Sequence, residues 1–281
     1  MPDLHASRLA RQVNGEIVVV LGWGRAILLQ LAHPLVAAGI ADHASFGGSS
    51  LQYVQRTHRT ISSMLSLTFG PADAVRLTAD RINAIHRRVH GRLAESTERF
   101  AAGTPYSAAD PDLLRWVHVT LIDTQLLTYR LLVGPLTATD ADAYCAEAAT
   151  IAPLLGIPPH CLPTSVADVT EYLERGHADK TVQVTDTARG LARQLLWPPT
   201  RVVASPVMAL GRLITIGLLP PALRQAYRFH WTERDQRRFD RAAIWLRRTR
   251  RAIPTALCVW PASRAGQRNA VDLSPASPLA P

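Results

Sequence analysis

The chain has 281 residues, 47% of them apolar, and a formal charge of +9 at pH 7. That composition excludes a disordered or fibrous protein and gives length for one large core or two small ones. Lys180 is the only lysine, so the charge is carried by arginine; codon bias gives that pattern without any nucleic-acid role, and charge of this kind bears on solubility more than on fold.

Residues 1–14 are polar and lack an apolar run, so they read as a mobile lead-in without an export signal, and a cytoplasmic protein is expected. Residues 16–41 are apolar but interrupted by Arg25, Gln30, His33 and Pro34. A span needs roughly 20 predominantly apolar residues, so this stretch reads as a buried core helix kinked at Pro34. In "RINAIHRRVHG" (81–91), His86 and His90 fall one helical turn apart. Asp110 followed by Pro111 opens a helix that stops at Gly134–Pro135, with an apolar stripe through Leu113, Val117, Thr120, Leu121, Thr124, Leu127 and Leu131.

A helix from about 137 ends on Gly156, and Ser165 caps the next. "KTVQVT" (180–185) is the only strand-like alternation. Residues 202–223 form a second apolar run, broken by Pro206, Arg212 and Pro220–Pro221; with the first run it leaves peripheral membrane contact open. Residues 232–254 set Phe239, Ala242, Ala243, Leu246 and Ile253 on one helix face and arginines on the other. The segment 261–281, rich in Pro, Ala and Ser, reads as a disordered tail. The expected class is all-α: a single multi-helix domain over residues 15–260.

Several chemistries are poorly served. Cys145, Cys161 and Cys258 form no Cys-x-x-Cys pair, which speaks against structural zinc and covalent haem, and their sparseness suits a reducing compartment. A zinc protease would need Glu directly after His86, where Arg87 stands. A di-iron bundle would need two Glu-x-x-His pairs; Glu174–His177 is the one present. There is no Gly-x-Ser-x-Gly elbow, and "GWGRA" (22–26) falls short of a dinucleotide fingerprint. A b-type haem asks for a neutral imidazole, an apolar slot and cations for its propionates. A helical histidine near arginines supplies these, as would any histidine packed in a helical core.

The ordered set "GWGRAILLQLAHPLVAAGIADH" (22–43), "RTHRT" (56–60), "FG" (69–70), "IHRRVHG" (85–91), "YSAADP" (106–111), "WVHVTLIDT" (116–124), "LLGIP" (154–158) and "GLLPPALRQAY" (217–227) is more specific than any of its parts. It resembles a bacterial family grouped with latex-clearing protein, the rubber oxygenase, and with the fungal endoplasmic-reticulum oxygenase of mycophenolic acid synthesis. The resemblance runs over roughly residues 15–250. It implies a distantly globin-like all-α fold enclosing a non-covalent haem b.

The resemblance further implies that His86 is the iron ligand, with His90 second to it, and that Arg56 and Thr60 face the distal side. Rubber oxygenase has a lysine just before that threonine; here Arg59 stands there, an always-charged and poor iron ligand. Its upstream glutamate base has no clear counterpart, and Asp42 and His43 are the nearest substitutes. Rubber cleavage itself is therefore not expected. Arg25 and His118 are further candidates for the haem surroundings, although Arg25 and Gln30 also read as donors to buried carbonyls and Asp123 as partner to a buried arginine. The expected activity is a haem-dependent oxygenase taking dioxygen and a small apolar alkene of isoprenoid type. The alternatives are a non-catalytic haem-binding protein, or a basic helical protein that binds anionic lipid or, less expected, nucleic acid.

Overall fold

The computed structural model describes residues 8–43, 50–198 and 205–263. Its chain is almost wholly helical. The helices are α1 (Arg8–Gly15), α2 (Trp23–Leu31), α3 (Pro34–His43), α4 (Ser50–Phe69), α5 (Ala72–His86), α6 (Pro111–Leu132), α7 (Ala138–Ala149), α8 (Val166–Ala178), α9 (Asp186–Leu196), α10 (Pro206–Leu218), α11 (Pro221–Ala226), α12 (Glu233–Ala252) and the short α13 (Thr255–Cys258). A 3-10 stretch (Ile17–Gly22) leads into α2, and another (Ala152–Leu155) follows α7. The class is all-α, as the periodicity predicts. From residue 8 onward the supposed lead-in is helix α1, because Leu9 and Val13 bury against α6 and α7. Residues 264–281, within the expected tail, lie outside the described residues.

Local signals set the helix ends. Asp110 accepts from the Asp112 amide at 2.8 Å, with Pro111 at the first helical position of α6. Ser165 and Asp168 form a capping box on α8, and Thr232 with Asp235 another on α12. Gly156 closes the 3-10 turn with φ 93°, a left-handed conformation that suits glycine.

The long apolar stretch is not one kinked helix. The Ile17–Leu31 segment and α3 are bent by 105° at the break before Pro34. Proline lacks an N–H and its ring collides with the preceding turn, so the chain restarts there. Among the described residues no single helix is long and apolar enough to cross a membrane.

Strands are few and lie elsewhere than expected. "KTVQVT" is not a strand; Val182 and Val184 are buried, and the Gln183 amide donates to the Ala32 carbonyl at 2.8 Å. The strand pair is β1 (His90–Arg92) with β2 (Pro105–Ser107), antiparallel, in register His90 with Ser107 and Gly91 with Tyr106.

Helix α6 is the axis, with buried residues on every side, from Trp116 through Val119 and Ile122 to Leu132. One core cluster joins it through Trp116 to α2, α3, α9 and α11; another joins it to α1, α7 and α8. Helix α2 runs close between α6 and α10. A Cβ on Gly22 would overlap the Thr128 side chain, and one on Gly24 would overlap that of Thr215.

In this tight layer Arg25 is 5% exposed. Its Nε donates to the Leu218 carbonyl at 2.9 Å and its Nη1 to Thr124 Oγ1 at 2.6 Å, while Nη2 pairs with Asp123 at 2.6 Å. The guanidinium is thus spent on protein partners, and its proposed place at a cofactor gives way to a structural one. Breaking a buried ion pair from one side costs about 3–5 kcal/mol. Arg25→Ala should lose stability on that scale in urea denaturation, and Asp123→Asn, which leaves the buried guanidinium without its counter-charge, should lose a comparable amount.

Candidate functional site

A cavity of about 120 Å³ opens between α1, α4, α6, α7 and the 3-10 turn at Ala152–Leu155. Met64 and Leu67 of α4, Leu121 and Ile122 of α6, and Ile151 and Leu155 beyond α7 make its apolar walls. His118, Leu121, Ile122 and Gln125 follow the i, i+3, i+4, i+7 rule and so present one face of α6 to it. At the polar end Tyr144 bonds to Asn14 at 2.9 Å and to the Gln125 amide. A hydroxyl has one proton, so one of these two amides presents its NH2 instead of its oxygen. The Glu147 carboxylate accepts from the Ala10 amide at 2.7 Å and ties α1 to α7.

His118 lines this cavity, and its Nε2 is buried without a partner. Burial lowers its pKa from 6.5 to about 4, so the ring is neutral at ordinary pH. His86, half-buried at the C-terminal end of α5, also has a buried Nδ1 without a partner, and burial lowers its pKa too. It does not line the cavity, but its helix face leads there. Asn83, one turn earlier, donates to the Leu154 carbonyl at 2.8 Å, in the turn that floors the pocket.

His90 is not on that face. The helix ends at His86, capped at Arg87, and exposed His90 begins β1. The expected one-turn pairing of the two histidines is overturned because strand pairing with β2 takes the chain away after the turn at residues 87–88. Among the described residues, no group of three or more His, Cys, Asp or Glu side chains is arranged to hold a metal.

On α4, Thr60 stands one turn before Met64 of the cavity wall. Thr60 is exposed on that helix; the Arg56 side chain lies outside the described residues. Asp42 and His43 are not brought to the cavity. They end α3 on the opposite side of the hairpin, where Asp42 accepts from the Tyr106 hydroxyl and His43 Nε2 lies 3.1 Å from the His90 carbonyl oxygen. They border a separate open groove with Thr187, Gly190 and Gln194.

His33 lines no part of the pocket either. It is buried near Phe100 and Trp116, with ring centroids 5.7 and 6.1 Å away, and burial takes its pKa down to about 4. Sequence reasoning missed the walls Met64, Leu67, Gln125 and Tyr144. The heptad-like spacing from His118 to Gln125 was the available signal for the α6 side.

The donor set partly fits a b-type haem. Neutral imidazoles and apolar walls are present. The space is smaller than the ~300–1,000 Å³ usual for small-molecule pockets, so a porphyrin requires the cavity to widen.

The fold is a helical domain with an apolar cavity lined in part by a buried, neutral imidazole. The chain is a member of the family described as ER-bound oxygenase mpaB/B'/rubber oxygenase, catalytic domain, matched over residues 10–248. Relatives include uncharacterised proteins of Mycobacterium bovis and Mycobacterium tuberculosis, each 28% identical over 234 residues, covering 81% of this chain and 87% of the relative. No solved structure matches the chain significantly.

The depressed histidines have a consequence for stability. Below pH 6.5 the unfolded chain takes up protons at His118 and His33 that the folded chain refuses until about pH 4. Stability is therefore full above the unfolded value and falls as pH drops through that window. Urea midpoints measured between pH 7 and pH 4 should decline, and His118→Phe with His33→Phe should flatten the decline.

Proposed function

We propose that the protein is a haem-dependent oxygenase acting on a small apolar alkene of isoprenoid type. The observation that carries this reading is the apolar cavity lined by the neutral imidazole of His118, whose Nε2 has no partner; His86, outside the lining on α5, has a second unpartnered ring nitrogen. Membership in an oxygenase family supplies the reaction class.

Haem, when bound, supplies an iron at which dioxygen is activated. In this reading His86 holds the metal, because a neutral imidazole keeps a lone pair free and burial disfavours its charged form. His118 lines the cavity, and its Nε2, without a protein partner, is left to donate or accept one hydrogen bond according to its tautomer. It orients an oxygen atom of dioxygen or substrate there. Arg56 and Thr60, two turns and one turn before Met64 on α4, would supply a cation for a propionate and a hydroxyl donor. Met64, Leu67, Leu121 and Ile151 exclude water and take the hydrocarbon. Asp42 and His43 have no part in the step, being engaged with Tyr106 and the His90 backbone.

The test is an absorption spectrum of the purified protein, alone and with added haemin, reductant and carbon monoxide. A Soret band is expected. It should be lost in His86→Ala, kept in His90→Ala, and shifted but present in His118→Ala. A protein that is colourless and takes up no haemin refutes the cofactor. Loss of the band in His118→Ala with retention in His86→Ala reassigns the ligand.

A further inference from the structure

Helix α12 carries a surface that the cavity does not explain. From Arg241 to Ala252 it holds five arginines and no carboxylate. Arg250 is committed inward, bidentate to the buried Glu16 at 2.9 and 2.5 Å. Arg241, Ile244, Trp245, Arg248 and Arg251 are spaced by three and four, and all five are exposed, so they form one stripe. Its middle is apolar: Ile244 is 52% exposed and Trp245 59%. Among the described residues no carboxylate pairs with Arg241, Arg248 or Arg251, whereas Arg237 and Arg238, nearer the helix start, have Glu233 and Asp235. Just past the helix, in α13, Leu257 is 69% exposed. Helix α10 packs against α12 around Ile214, Leu218 and Phe239, with Leu210, Leu213, Ala242 and Leu246 against that cluster, and Val207 at the start of α10 is exposed.

A solvated outer face does not need a tryptophan, an isoleucine and a leucine in water. A nucleic-acid face would use the arginines but gains little from burying Ile244 and Leu257. Arginines framing an exposed aromatic and aliphatic centre match the chemistry of a bilayer interface, where cations meet lipid phosphates and the apolar groups enter the boundary of the acyl chains.

We propose that the C-terminal half of α12, together with α13, docks on the surface of an anionic phospholipid bilayer. The inference stands apart from the haem assignment and holds whether or not the cavity binds a porphyrin. Docking there sets the protein beside a reservoir of apolar molecules.

The full chain is sedimented with vesicles of phosphatidylcholine alone and of phosphatidylcholine with one third phosphatidylglycerol. Binding to the anionic vesicles is expected, falling steeply between low and 0.5 M salt as charges are screened. Arg241→Gln, Arg248→Gln and Arg251→Gln together should weaken partitioning by roughly a hundred-fold, from the known value of each surface cation near an anionic membrane. Trp245→Ala should weaken binding and remove most of the blue shift in fluorescence on adding vesicles. Leu257→Ser, on a separate element, gives a second readout of the apolar contact, and thermal melts should show all variants folded.

Equal binding to both vesicle types overturns the proposal, as does anionic binding indifferent to the three arginines. So does tighter binding to a DNA duplex that depends on the arginines but not on Trp245 or Leu257.

Discussion

The guanidinium of Arg25 is the constraint on which the rest of the molecule depends. It belongs to α2, and its partners are Asp123 and Thr124 of α6 and the last turn of α10. A charge taken out of water is tolerated only when every direction it points is answered. Here that requirement fixes the rotation of α6 about its own axis. The glycines at 22 and 24 let the backbones come close enough for the bonds to form. Once α6 is fixed in this way, Trp116 faces one core, Ile122 and Leu126 face the other, and His118 is turned toward the cavity.

The chemistry of the site follows from burial more than from charge. The cavity gathers no cluster of acids or bases. It presents the His118 ring, held neutral by desolvation, against walls of methionine, leucine and isoleucine. Such a place favours an apolar occupant over a charged one. The oxygenase family to which the chain belongs is consistent with that preference.

What the sequence disclosed was what neighbours in the chain decide. The caps at Asp110 and Ser165 depend on residues two or three positions away, and both form as their spacing predicts. The partnership of Asp123 with a buried arginine was legible for a different reason: a carboxylate on the inner face of an apolar helix has to be answered. The failures lie where distant segments compete. Helical period continues through Arg87 to His90, but pairing with residues 105–107 takes that stretch into a strand. Asp42 and His43 looked available until Tyr106 and the backbone of His90 claimed them. Val182 and Val184 alternate as a strand does, yet they meet a core instead of a sheet. The cavity draws on α1, α4, α6 and α7 at once, and no single window of sequence contains it.

The 105° fold between the Ile17–Leu31 segment and α3 also bears on the birth of the protein. Laid straight, those 27 residues would make a rod of ~40 Å, longer than the ~30 Å hydrocarbon core of a bilayer. What keeps them folded back is contact with α6 and α9, which the ribosome delivers later; α9 begins only at Asp186. At ~5–20 residues per second, the nascent chain carries this apolar segment unclothed for many seconds. Whether that segment is shielded by a chaperone or surveyed by the insertion machinery is decided in that interval, before the packing that hides it exists.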